Sequence, residues 1–308
     1  MRQGRSRSAV ACRPQLPAGL DCTPNPPRLG HASHHTGGHA EFGAASLDVL
    51  SGNRMTSKKT QTDAVVEVME RNGGFATLRH LYDNVLHVKD VAWETRTPFA
   101  TMRRIVQNPA VFFKIKPGLW ALNSARNRLP TAVVALIGRP GRVAQDDERS
   151  THYYYQGIAV EVGNMQDYRT YVPAHDRNRP FLNRKLSDVA ATCEMPQFTY
   201  PSITNRVKGV DVIWFNNRGL PHSVFEVEHS TDFKNSLAKF HELLEFNTAM
   251  TILAPDSRRP QFEDVVSMAI YAPAKERVAF WSYGYLERIH ATLSEEVAER
   301  RLATSSRR

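Results

Sequence analysis

Gly209–Ser230 reads GVDVIWFNNRGLPHSVFEVEHS, and the fold turns on how this stretch is read. Val212 to Phe215 is a continuous apolar, β-favouring run, and Val224, Phe225 and Val227 form a second one beyond the polar turn Asn216–Pro221. Two such runs joined by a short polar turn predict a hairpin. Asp211 heads the first strand, whereas Glu226 and Glu228 interrupt the second. Side chains at i and i+2 of a strand share a face, so the two glutamates point the same way. If the strands pair, Asp211 and Glu226 converge at one end of the sheet. Two readings stay open: a polar sheet face paired with nearby Arg and Lys, or a metal site.

Working outward, DFKNSLAKFHELLEF (232–246) places Phe233, Leu237, Phe240 and Leu244 at helical spacing, with Ser230 or Thr231 as the expected cap. TAMTILAP (248–255) predicts another apolar strand. On the other side, THYYYQGIAVEVGNMQDY (151–168) carries Tyr154, Ile158, Val162 and Met165 at helical spacing, and RTYVP is a short strand candidate. Glu161 lies beside that helix's apolar stripe, where a carboxylate wants an Arg, a backbone amide or a metal as partner. Phe181 to Cys193 shows no clear pattern. The expected order is therefore helix, short strand, hairpin, helix, strand.

This order, with Asp211 followed by Glu226, resembles the PD-(D/E)XK nuclease superfamily, the restriction-endonuclease-like fold, over about Thr151 to Ile289. The resemblance implies a motif of Asp, spacer, Glu-x-Lys, and the chain departs from it by placing Glu228 where the lysine belongs. Lys234 and Lys239 on the following helix are the candidates for a migrated lysine, with Lys208 a weaker one. Lys234 is assigned to the catalytic set with Asp211, Glu226 and Glu228. Glu161 matches the extra acidic residue that some members use, which adds it to the metal set. Elementary chemistry points the same way. Phosphodiester hydrolysis needs a water made nucleophilic near neutral pH and a charge clamp on the phosphate, and Mg²⁺ on hard oxygen ligands supplies both. Asp211, Glu226 and the backbone carbonyl of Val227 are the expected ligands, with Mn²⁺ as a substitute ion. Glu228 or a helix lysine would orient the water, and His229 is a candidate donor to phosphate.

Thr60 to Leu122 has a different texture. Ala64, Val65, Val68 and Met69 predict one helix stopped by Gly73-Gly74; Leu78, Leu81, Tyr82 and Val85 predict a second; Thr97-Pro98 opens a third as N-cap and first helical residue. AVFFKIKPGLWAL (110–122) then alternates around Pro117-Gly118 like a hairpin. Three helices closed by a hairpin are the layout of a winged helix. TPFATMRRIVQNPAVFFKIKPGLWAL resembles the end of the HARE-type helix-turn-helix domain, which implies docking on nucleic acid. Arg103 and Arg104 on the third helix and Lys114 and Lys116 on the hairpin are the candidate phosphate contacts. The alternative is a solvated basic face on a protein-interaction module.

Forty Lys and Arg against 31 Asp and Glu leave a net charge of +9, the footprint of a chain that meets phosphates. No run approaches the ~18 consecutive apolar residues of a membrane span, and the N-terminus does not resemble a secretory leader, so cytoplasm is the expected location. Cys12, Cys22 and Cys193 have no CxxC spacing, which argues against a disulfide framework or a cysteine zinc site. Residues 1–54 are rich in Pro, Gly, Ser, His and Arg without apolar periodicity, and are expected to be disordered or an over-extended start ahead of Met55. His31, His34, His35 and His39 fall there and read as solvated rather than metal-binding. The expected architecture is α+β in two domains. A winged helix occupies 55–124, a linker 125–150, and a restriction-endonuclease-like core with a mixed sheet flanked by helices 151–292. A basic tail follows at 293–308. The expected function is a DNA-binding, Mg²⁺-dependent endonuclease of restriction or defence type. Its partner is DNA, there is no membrane, and a homodimer would supply two cuts. The alternative is a non-catalytic DNA-binding regulator that keeps a degenerate nuclease fold.

Overall fold

The computed structural model describes residues 59–137, 145–230 and 232–305, all within one unit of residues 56–308. The 1–54 extension with its histidines, Cys12, Cys22 and the proposed Thr231 cap lie outside the described residues.

Helix α1 (Gln61–Arg71) starts on Thr60, whose hydroxyl accepts from the Asp63 amide while Asp63 returns the bond, so the first turn is satisfied reciprocally. It ends before Gly73 and Gly74, whose φ values of 85° and 88° suit only glycine without strain. Phe75–Thr77 (β1) follows. Next come α2 (Leu78–Asn84) and α3 (Pro98–Val106), the latter with Thr97 as N-cap and Pro98 at the first position. Phe112–Lys116 (β2) and Leu119–Leu122 (β3) turn back on each other through Gly118, giving a three-stranded antiparallel sheet in the order β1-β3-β2. Helix α4 (Thr131–Val134) and the beginning of α5 (Gln145–Met165) both fall inside 125–150, so helix occupies part of the stretch expected to be linker.

Beyond α5 come β4 (Arg169–Tyr171), the small pair β5 (Pro180–Phe181) and β6 (Arg184–Lys185), and α6 (Pro201–Val207). The expected hairpin is β7 (Val212–Phe215) with β8 (Pro221–Val227), antiparallel, pairing Val212 with Phe225. Helix α7 (Phe233–His241) crosses to β9 (Ala249–Ala254); α8 (Arg259–Val266) and α9 (Ala272–Lys275) lead to β10 (Val278–Ser282), and α10 (Tyr283–Ser305) closes the chain. The sheet runs β10-β9-β8-β7-β4. Its β8, β9 and β10 are parallel, whereas β7 and β4 complete it antiparallel. This is an α+β fold with a mixed sheet flanked by helices.

The period of two in β8 divides the core. Phe225 and Val227 pack with Val212 and Trp214 towards α5, while Val224 packs with Ile213 and Phe215 towards Phe233, Leu237 and Phe240 of α7. Helix α5 lies close on its neighbours because Gly157 and Gly163 carry no side chain. A Cβ on Gly157 would overlap the Phe181 ring, and one on Gly163 would sit 2.5 Å from the Trp214 indole nitrogen. Trp214 donates that N–H to the Ala159 carbonyl at 3.1 Å.

The cap of α7 is Asp232, which accepts from the Lys234 amide at 3.0 Å, rather than Ser230 or Thr231. Helix α10 continues to Ser305, through the stretch expected to be a basic tail, because its apolar face has a partner. Leu286 and Ala298 are buried in the same core as α1 to α3. Polar contacts stitch the layers: Arg301 to Asp83 at 2.8 Å, Arg103 to Glu295, and the Asn183 amide to Asn72 Oδ1 at 2.7 Å. Among the described residues no helix is long and apolar enough to cross a membrane.

Candidate active site at the end of the hairpin

Since Val212 opposes Phe225, Asp211 follows on beside Glu226, one step past the end of β7. The Val227 amide donates to Asp211 Oδ2 at 2.8 Å, which ties the aspartate to the end of β8. In an antiparallel ladder a residue's N–H and C=O address the same neighbour, so the Val227 carbonyl is aimed towards the Asp211 strand as well. Glu226 and Glu228 share the other parity, facing α7, and both are buried. Ser236 donates to Glu226 Oε2 at 3.0 Å and also bonds Glu228 Oε1. Lys239 closes the group: its ammonium donates to both oxygens of Glu226, at 2.9 and 2.8 Å, and to the Gly209 carbonyl at 2.9 Å.

The Lys239 ammonium thus pairs with Glu226 in a group of three buried carboxylates. Burial, and then the negative charge of Asp211, push the Glu226 carboxyl well above the usual carboxylate range in spite of Lys239. Burial also pushes Glu228 up, against the Ser236 hydrogen bond. Burial pulls the Lys239 ammonium down, yet the charges of Glu226 and Asp211 more than offset it and its pKa is raised. Burial is the first cause at Glu226, and the neighbouring carboxylates act on both members of the pair. Carboxylate oxygens are the hard donors that a divalent cation takes.

From the opposite side α5 brings His152 and Gln156, one turn apart on one face. His152 Nε2 lies 3.7 Å from Asp211 Oδ2, and the Gln156 amide donates to Asp176 Oδ2 at 3.1 Å and to the Asp211 carbonyl at 2.9 Å. One ligand atom from each of His152, Asp176 and Asp211 lies within 4.8 Å of the others. Neither His152 nor Asp176 figured in the sequence reading. They come from a helix face and a loop far apart in the chain, and nothing in either stretch marks them as neighbours of Asp211.

Other expected site residues go elsewhere. Lys234 is half exposed and lies 3.6 Å from Asp232; it is Lys239 that reaches the acids. Glu161 accepts from His290 Nε2 at 2.7 Å and from Arg184 Nη2 at 2.7 Å, so each of its oxygens has a basic partner. Arg103 is turned inward to Glu295 and the Tyr82 hydroxyl, whereas Arg104 and Lys114 are exposed. Lys116 is near enough to act on two groups beside the site. Burial lowers the His229 pKa, helped by Arg258 and Lys116. Burial raises that of Glu287, against Tyr155, Lys116 and Lys114. Arg258 donates to the Glu228 carbonyl at 3.0 Å. Along the same edge, past the ends of β9 and β10, Arg259, Phe280, Trp281, Tyr285 and Arg288 line an open cleft of about 700 Å³.

Residues 139–302 match the sequence family described as the type II restriction enzyme NmeDI C-terminal domain, a span that contains every residue of the carboxylate cluster. The type II restriction enzyme NmeDI of Neisseria meningitidis serogroup C is 26% identical over 123 residues, which cover 37% of this chain and 35% of that protein. The chain thus spans about a third of the length of the curated relative it matches. No solved structure matches it.

Proposed function

This chain belongs to the family of the type II restriction enzyme NmeDI C-terminal domain, and on that premise we propose that it is a divalent-metal-dependent endonuclease that hydrolyses DNA phosphodiester bonds on a PD-(D/E)XK scaffold. The observation that carries the reading is the buried group of Asp211, Glu226 and Glu228 on Lys239 at the end of the β7–β8 hairpin. Asp211, Glu226 and the Val227 carbonyl would hold Mg²⁺ or Mn²⁺. Bound there, such an ion would supply polarisation of the phosphate and a lowered pKa for a water.

The chain's own residues supply the remainder. Lys239 reaches the acids from α7 and brings the positive charge that the superfamily's motif lysine brings from the strand. Glu228, in the motif lysine's place, shares Ser236 with Glu226 and is the group to accept a proton from the attacking water. His229 is the candidate donor to the phosphate. Residues 55–124 act as a winged helix of HARE type that docks the duplex through Arg104, Lys114 and Lys116, while 151–292 cut. Arg103 drops out of the docking set because Glu295 holds it. Two cuts in a duplex take two sites, which a second copy of the chain would bring.

A second reading, a DNA-binding regulator without catalysis, is favoured by one observation: Glu228 stands where the motif has lysine. A supercoiled-plasmid nicking assay with Mg²⁺ and with Mn²⁺, beside Asp211→Ala and Glu226→Ala, separates the two. Nicked and linear product from the wild type alone is the expected result. Intact plasmid under both metals, with plasmid binding retained, overturns the nuclease and leaves the regulator.

A further inference from the structure

Gln156 has no exposed surface, and its side-chain amide is committed on one side only. The two hydrogen bonds to Asp176 Oδ2 and to the Asp211 carbonyl both end on acceptors, so the bonded atom is the NH₂ group. The atom left over is the carbonyl oxygen Oε1, and it is buried with no hydrogen-bond partner. A buried acceptor left unmade is destabilising, so its retention calls for an unseen partner. The amide that carries it is pinned between Asp176, which is buried, and Asp211. His152, one turn earlier on the same face of α5, adds its Nε2 at 3.7 Å from Asp211 Oδ2.

We propose that His152 Nε2, one carboxylate oxygen each of Asp176 and Asp211, and Gln156 Oε1 form a second cation site that takes a first-row transition-metal ion in preference to Mg²⁺. A water molecule would satisfy Oε1 but would leave two carboxylates facing each other; a cation answers both. The imidazole sets the selectivity. Mg²⁺ holds to oxygen ligands and gives up its waters reluctantly, whereas Mn²⁺ and the later divalent metals accept imidazole nitrogen. The site shares Asp211 with the oxygen site of the proposed function and rests on that reading only for the count of ions. Its own ligands, His152, Asp176 and Gln156, take no part in the hydrolysis proposed above.

Counting bound Mn²⁺ by electron paramagnetic resonance on the full chain, with and without excess Mg²⁺, tests it. The wild type is expected to bind two Mn²⁺ per chain and to keep one under excess Mg²⁺. His152→Ala, at a half-buried position, is expected to bind one and to keep none; the near-isosteric Asp176→Asn gives the same loss without removing bulk. Glu226→Gln is expected to bind one Mn²⁺ that Mg²⁺ does not displace. Equal Mn²⁺ counts in wild type, His152→Ala and Asp176→Asn overturn the second site, as does displacement of all wild-type Mn²⁺ by Mg²⁺. Failure of the oxygen site has a different signature: a single wild-type ion that needs His152, resists Mg²⁺ and is unaffected by Glu226→Gln.

Discussion

Glu161→Gln tests whether the helix-borne acid is a strut or a ligand. In the structure the Glu161 carboxylate, 7% exposed, is gripped by His290, itself 5% exposed, and by Arg184, whose side chain is 46% exposed. Removing one partner of a buried ion pair costs about 3–5 kcal/mol. The glutamine keeps one acceptor, which returns about 1 kcal/mol, and the exposed Arg184 arm adds no more than about 0.5 kcal/mol after screening. The loss at pH 7 is then about 2–4.5 kcal/mol, or about 4–18 °C in Tm for a unit of this size. The pH dependence has a definite sign. Burial pushes the Glu161 carboxyl up, but the His290 hydrogen bond and the charges of His290 and Arg184 outweigh it, so its pKa is lowered. A depressed carboxylate contributes stability that is present above its unfolded pKa and is lost as pH falls through the folded one. The gap between wild type and variant is therefore full at pH 7 and closes on acidification below about pH 4. Melting curves in EDTA at pH 7, 5, 4 and 3 measure it. A gap under about 2 °C at pH 7, or one that widens with acid, refutes the strut. An unchanged Tm in EDTA with a lost metal-induced rise would return Glu161 to the metal set.

Lys239→Met strands Glu226 without its counter-charge and is expected to cost about 3–5 kcal/mol in urea unfolding without metal, together with plasmid cleavage. Cleavage within about tenfold of wild type, equivalent to about 1.4 kcal/mol of barrier, would show that the ammonium is structural only. Lys114→Ala with Lys116→Ala is expected to flatten the slope of log affinity against log salt by about 2, checked by fluorescence anisotropy on a short duplex; an unchanged slope removes the hairpin from the docking surface.

How far the sequence reading reached has a physical pattern. The hairpin, the acids on β8 and the helix after them were legible because a period of two and a period near 3.6 write themselves into neighbouring residues. The choice between Lys234 and Lys239 was legible in principle and was missed. At about 100° per residue, Lys234 lies about 160° around α7 from Ser236, and Lys239 only about 60°. Ser236 faces the acids, so helix phase selects Lys239. The His152, Gln156 and Asp176 group was not legible, because it depends on how α5 seats against the loop after β4, and that seating depends on Gly157 meeting the Phe181 ring. Glu161 was read correctly as needing a partner, but both of its basic partners, 23 and 129 residues away, are set by tertiary packing.

Helix α10 has a consequence for how a cut would be placed. At about 1.5 Å per residue its 23 residues form a spar of about 35 Å, anchored at one end against the carboxylate edge and along its length to α2 and α3. A docking part on a loose tether would let the cutting edge wander along the strand it holds. On the proposed function the grip and the blade would share one beam, as in a carpenter's jig, so the distance from the held phosphates to the severed bond would be set by the protein's own dimensions. Shortening α10 by one turn should move the cut by a fixed interval rather than blur it.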